Sequence, residues 1–116
     1  NFVGDLHVNG AITASKDITA FSDARLKTQV REIDHALDRI TQLQGVTFER
    51  SDLADGRRYS GLIAQQVQQV LPEVVHQEGE YLSVAYGNMV GLLVESIKAL
   101  NDKVNHLQNR LADLDT

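Results

Sequence analysis

Ser22 and Lys27 are the two side chains here whose pairing could break a covalent bond. Both lie in the stretch FSDARLKTQVREI, residues 21–33. A serine hydroxyl is a weak nucleophile until a neighbouring base takes its proton. Lysine can be that base only if burial or nearby positive charge moves its pKa from about 10.4 toward 7–8, a change of roughly 4 kcal/mol. Such a pair carries out acyl transfer, and the nearest carbonyl is that of Phe21, immediately before the serine. Arg25 stands where it could add positive charge beside the lysine or hold a carbonyl. Asp23 stands where it could cap a turn.

The spacing sets a geometric condition on this chemistry. On an α-helix, a separation of five residues rotates the chain by about 500° and leaves the two side chains ~140° apart. On a strand they point to opposite faces. They meet only across an irregular turn or between chains of an oligomer. Taken alone, the pair is more simply explained as a turn cap and a solvated charge, because short motifs match by chance.

The elements that must position these residues fall into three zones. Residues 1–21 have the pattern of short β segments, with Leu6, His7 and Val8, a tight turn at Asn9-Gly10, then Ala11, Ile12 and Thr13. A lone hairpin is marginal in water, so this zone requires support from other copies or from chain outside these residues. It is expected to be the end of a β-structured stalk belonging to something longer.

Residues 22–87 have the pattern of a small α+β domain. Ile33, Leu37, Ile40 and Leu43 recur at helical spacing, with Asp34 as the expected N-cap and Gly45 as the stop. GVTFER and YSGLIA alternate as two strands joined through Asp55-Gly56, and a short helix from Gln65 to Leu71 ends at Pro72. A second hairpin is expected around Gly79.

Residues 88–116 carry the most regular pattern. Val90, Leu93, Ile97, Leu100, Val104, Leu107, Leu111 and Leu114 alternate three- and four-residue spacings without a break. Val, Ile or Leu at a and Leu at d specify a coiled coil, and in simple peptides this choice favours two strands, a preference an adjoining domain can override. The fold class expected is therefore α+β, with a long C-terminal helix that oligomerises.

Composition excludes several function classes. The chain has 116 residues, 42% apolar but only 5% aromatic and without Trp, so its core is small. A net charge of -5 argues against a nucleic-acid binder. No apolar run approaches the ~18 residues of a membrane span, and the absence of cysteine rules out disulfides and thiolate sites. His7, His35, His76 and His106 lack metal-ligand spacing, so no metal or other cofactor is expected. ADGRRYSG lacks the GK[ST] of a phosphate loop, and no small-molecule substrate is indicated.

SDARLKTQVREI, followed in order by LQGVTFER, YSGLIAQQVQQVLPEVV and YLSVAYGNMVGLLVESIKAL, resembles the intramolecular chaperone domain of bacteriophage tailspikes and tail fibres, the endosialidase-type C-terminal domain. The likeness covers about residues 22–100 and raises Ser22 above a chance match. It implies a domain that trimerises, templates folding of the preceding stalk in the host cytoplasm, then cuts itself off at the serine of an SDxRLK motif. On that resemblance Ser22 and Lys27 are the dyad, Phe21–Ser22 is the scissile bond, and Asp23, Arg25 and Tyr59 are supporting candidates. The chain departs from the pattern at Gln29, where many relatives have Asp or Asn, and at Tyr59, where many have His. Two other readings remain: a permanently attached trimer cap, and an oligomerisation module of the kind found in some eukaryotic membrane-bound transcription factors.

Overall fold

The computed structural model describes residues 1–115 and divides the chain into two units, residues 1–30 and a second beginning at Arg31. The last residue of the expected 88–116 helix lies outside the described residues.

In the first unit, residues 1–21 are irregular chain with bends at Gly4, at Asn9 and Gly10, and at Ser15 and Lys16. The strands expected at 6–8 and 11–13 do not form. A strand is stabilised by a ladder partner and a shared apolar face, and two three-residue segments cannot offset the entropy of ordering themselves. The bend at Asn9-Gly10 is kept; the hairpin is not. A single 3-10 turn follows at Ala24–Leu26.

The second unit holds the core. Helix α1, Ala36–Ile40, is shorter than the apolar spacing predicts. Its start is set by His35 in the left-handed conformation, φ 50 and ψ 35, with no side-chain cap. Asp34 is not the cap. Its carboxylate accepts instead from Arg39 Nη2 at 2.6 Å, while Arg39 Nη1 donates to the Val70 carbonyl at 3.1 Å. The helix also stops before Gly45: tight bonds from Gln42 to Arg39 and from Leu43 to Ile40 close it in a narrowing last turn.

Strands β1, Val46–Glu49, and β2, Arg58–Gly61, pair antiparallel with Phe48 opposite Tyr59. Their rings stack at 6.2 Å between centroids. Helix α2, Ala64–Val70, turns Val67 and Val70 inward, as the QQVQQV pattern predicts. Pro72 opens the 3-10 turn Pro72–Val74, since a proline ring cannot continue the preceding helix. Strands β3, Val75–Glu78, and β4, Tyr81–Val84, form the second hairpin, and Gly79 supplies the φ of +60 its turn requires.

A 3-10 turn at Tyr86–Met89 leads into helix α3, Val90–Leu114, 25 residues long. The core is Ala36, Val67, Val70, Leu71, Val74, Met89 and Leu92. It joins α1, α2, the β3–β4 hairpin and the first turn of α3.

Helix α3 faces two ways. Leu92 and Ser96 are buried against the domain. All eight residues of the heptad seam are exposed, from Val104 at 44% to Leu114 at 81%. At 3.6 residues per turn the two stripes lie roughly 80–100° apart around the helix. From Leu100 to Asp115 every residue is exposed, so the domain covers only the beginning of the helix.

Candidate functional site

The pair singled out by spacing is brought together within one short turn. Asp23 caps it: the backbone N–H of Arg25 donates to Asp23 Oδ1 at 2.8 Å. Leu26 N–H donates to the Asp23 carbonyl at 3.0 Å and Lys27 N–H to the Ala24 carbonyl at 3.1 Å, which makes the turn 3-10. Lys27 itself is extended, φ -111 and ψ 137, so its side chain runs back along the turn. Its Nζ lies 2.7 Å from Ser22 Oγ and 3.0 Å from the Ser22 carbonyl oxygen. The turn resolves the helix-or-strand mismatch, because a 3-10 turn followed by an extended residue belongs to neither case.

Arg25 is committed elsewhere. Its Nη2 donates to Asp23 Oδ2 at 2.8 Å and its Nε to Oδ1 at 3.1 Å. That guanidinium holds the Asp23 carboxyl below the usual carboxylate range, and the carboxylate in turn raises the arginine. The pair neutralises itself, so Arg25 acts here as a brace for the cap. Residues 22–27 are all exposed. The dry surroundings that a lysine base requires are therefore not built by this stretch of chain.

Tyr59 sits in the second unit, on β2. Its hydroxyl donates to Asp55 Oδ2 at 2.6 Å, which pushes the phenol up and holds the Asp55 carboxyl down. The Arg57 guanidinium lies 5.0 Å over its ring. The tyrosine's one donor thus serves the turn of its own hairpin.

Two features with structural consequence, a tie between Tyr86 and the Leu62–Gly61 backbone and the conformation of Gln29, are not visible in the sequence pattern. Tyr86 Oη accepts from the Leu62 backbone N–H at 2.9 Å, tying the end of β2 to the entry of α3. Gly61 is a glycine because a Cβ there would strike that hydroxyl. No local signal links positions so far apart in the chain. The second is Gln29, which has φ 52, the left-handed region that Asn and Asp enter most readily among non-glycine residues. The difference from the expected Asp or Asn thus falls at a backbone conformation.

Among the described residues no group of His, Asp or Glu could hold a metal ion, and no helix is long and apolar enough to cross a membrane.

Residues 22–76 match the family described as chaperone of endosialidase. The matched span starts at Ser22. The chain is 33% identical to the long tail fiber protein Gp37 of Enterobacteria phage T2, over 89% of this chain and 9% of that protein. The phage K3 Gp37 matches at the same identity and coverage. It is also 32% identical to the Myelin regulatory factor homolog 1 of Caenorhabditis elegans, over 74% of this chain and 10% of that protein. The chain spans about a tenth of the length of these relatives.

Proposed function

Residues 22–76 belong to the chaperone-of-endosialidase family, and from that premise we propose that this chain is the intramolecular chaperone of a phage tail fibre or tailspike. In this reading it forms a homotrimer through α3, templates the stalk that precedes Ser22, and then cuts itself between Phe21 and Ser22. The long tail fibre relatives support the fibre context. The exposed heptad seam and the exposed Phe2, Leu6, Ile12 and Ile18 of the first unit support assembly with further copies.

The chaperone role is mainly entropic. Fibre chains must reach common register before their non-local contacts return any stability, so their folding is slow and prone to aggregation. A domain that trimerises first holds the chain ends aligned and at high effective concentration. Removing it afterwards leaves a product that cannot be re-registered once unfolded, which is kinetic stability.

The observation that carries the cleavage step is Lys27 Nζ at 2.7 Å from Ser22 Oγ. The neutral amine takes the hydroxyl proton, and Oγ attacks the Phe21 carbonyl carbon. The Phe21–Ser22 C–N bond breaks as Lys27 returns the proton to the departing nitrogen. Water then hydrolyses the ester, leaving a Phe21 carboxylate and restoring the Ser22 hydroxyl. Each chain cuts once, so ~10⁻³ per second is sufficient, a barrier of roughly 21–22 kcal/mol. The surroundings that favour a neutral lysine come from the other chains of the trimer, so that cleavage waits for assembly.

The test is intact mass during incubation of the purified protein. A fragment starting at Ser22 is expected. Ser22→Ala and Lys27→Ala should each stop cleavage and leave sedimentation unchanged. Lys27→Arg should stop it too, because a guanidinium cannot act as a base at working pH. A wild-type trimer that stays whole would leave the domain as a permanent cap on the fibre.

A further inference from the structure

Two residues beyond Lys27, the chain takes a backbone conformation that glutamine seldom adopts. Gln29 has φ 52, where the Cβ of an L-residue crowds the neighbouring carbonyl and where glycine, then Asn and Asp, are most at ease. The chain bends at this point. Its carboxamide is exposed and, among the described residues, makes no hydrogen bond.

The conformation matters because of what it follows. Lys27 is fixed on one side by its N–H bond to the Ala24 carbonyl, and its Nζ reaches back to Ser22 Oγ. Only Thr28 separates that anchored residue from the left-handed one. The backbone of residue 29 therefore decides the direction in which the chain leaves the turn. An extended residue there would carry the chain straight on, pulling on the extended segment that holds Lys27 over Ser22.

We infer that Gln29 is a positioning residue for the Ser22–Lys27 pair, and that it acts through its left-handed backbone and not through its carboxamide. The kinetic part of the test rests on the cleavage reading above; the structural part does not.

The test compares Gln29→Gly, Gln29→Asn and Gln29→Val in the full chain. Glycine and asparagine accept the left-handed region, whereas a β-branched side chain resists it. Two readouts are taken: the single-turnover cleavage rate across pH, and hydrogen exchange at the Arg25, Leu26 and Lys27 amides. The Gly and Asn variants should cut as fast as wild type or up to about fivefold faster, and the Val variant at least about tenfold slower. The pH midpoint should be unchanged throughout, because the proton acceptor is the same. The three turn amides should exchange faster in the Val variant alone, with sedimentation unaltered. A Gly variant as slow as Val would mean that the side chain acts, and a Val variant equal to wild type would mean that the backbone does not; either overturns the inference. If the wild type does not cut at all, the cleavage reading falls, and amide exchange alone decides for or against Gln29.

Discussion

The first thirty residues and the remainder of the chain are organised on opposite principles. In residues 1–30 every residue is exposed, yet the candidate Ser22–Lys27 pair lies there with its atoms already 2.7 Å apart. From Arg31 onward there is a packed core, with Val67 and Leu92 fully buried and, among the described residues, no serine held within hydrogen-bond distance of a lysine amine. The pair is thus built by six consecutive residues: a capping carboxylate, an arginine that braces it, one 3-10 turn and an extended lysine. No tertiary packing is needed to bring serine and lysine together. What so local a device cannot supply is exclusion of water, which strengthens electrostatic effects at a reacting centre. Geometry is encoded locally, and environment has to come from whatever covers it.

The sharpest way to break this contrast is through α3, which carries a core stripe and a seam. Replacing Ile97 and Leu100 together by Asp removes two apolar side chains worth about 1.5–3 kcal/mol each when buried and places charge in the seam. Sedimentation should then return monomer at micromolar concentration, with the far-UV signature of the core retained. Collapse of the core as well would mean that the two stripes are not separable. A Leu92→Ala change attacks the other stripe and should cost about 2–5 kcal/mol in urea unfolding, since it opens a cavity at a fully buried site.

Smaller effects sharpen the comparison. Tyr86→Phe removes the acceptor of the Leu62 N–H and should cost about 1 kcal/mol in the same assay. It should leave the amides of the Ser22 turn unaffected, because the tie it breaks lies wholly in the second unit. The smallest effect is expected at Asp23. Asp23→Asn keeps a side-chain oxygen for the Arg25 N–H but loses the ion pair, and should change cleavage by no more than about threefold. The Arg25 hydrogen bond lowers the Asp23 pKa, so the contribution of its charge is present above the ordinary carboxylate pKa of about 3.9 and is lost as pH falls through the lowered value. Exchange at the Arg25 amide should therefore separate wild type from variant at neutral pH and converge only below about pH 4.

Much of the second unit was legible in the sequence because its signals are local. Alternation marked β1 and β2, Gly79 marked the second hairpin, Pro72 ended α2, and heptad spacing marked α3. The spacing of Ser22 and Lys27 allowed a meeting across an irregular turn or between chains, and the structure shows the two side chains meeting across such a turn. The start of α1 was not legible, because Asp34 has the right type for a cap but its carboxylate is taken by Arg39, which also reaches across to α2. Residues 1–21 have strand-like spacing and no partner within the described residues, and pattern does not stand in for a ladder. Gln29 was read for its side chain, whereas its distinctive feature is a φ that composition cannot reveal.

The placement of α3 after everything else in these 116 residues has a consequence in time. A ribosome adding ~5–20 residues per second needs roughly 5–20 seconds to pass from Ser22 to the end of the seam. During that interval the serine and lysine can already touch, but the exposed seam of α3 does not yet exist. On the proposed reading, even at the full ~10⁻³ per second of the assembled state the pair would have used only about 2% of its chances or less before the helix emerged. A slow reaction at a site formed early thus acts as a clock. On that proposed reading, synthesis runs in seconds and severance in many minutes, and the gap between them is the period in which the chains would find one another.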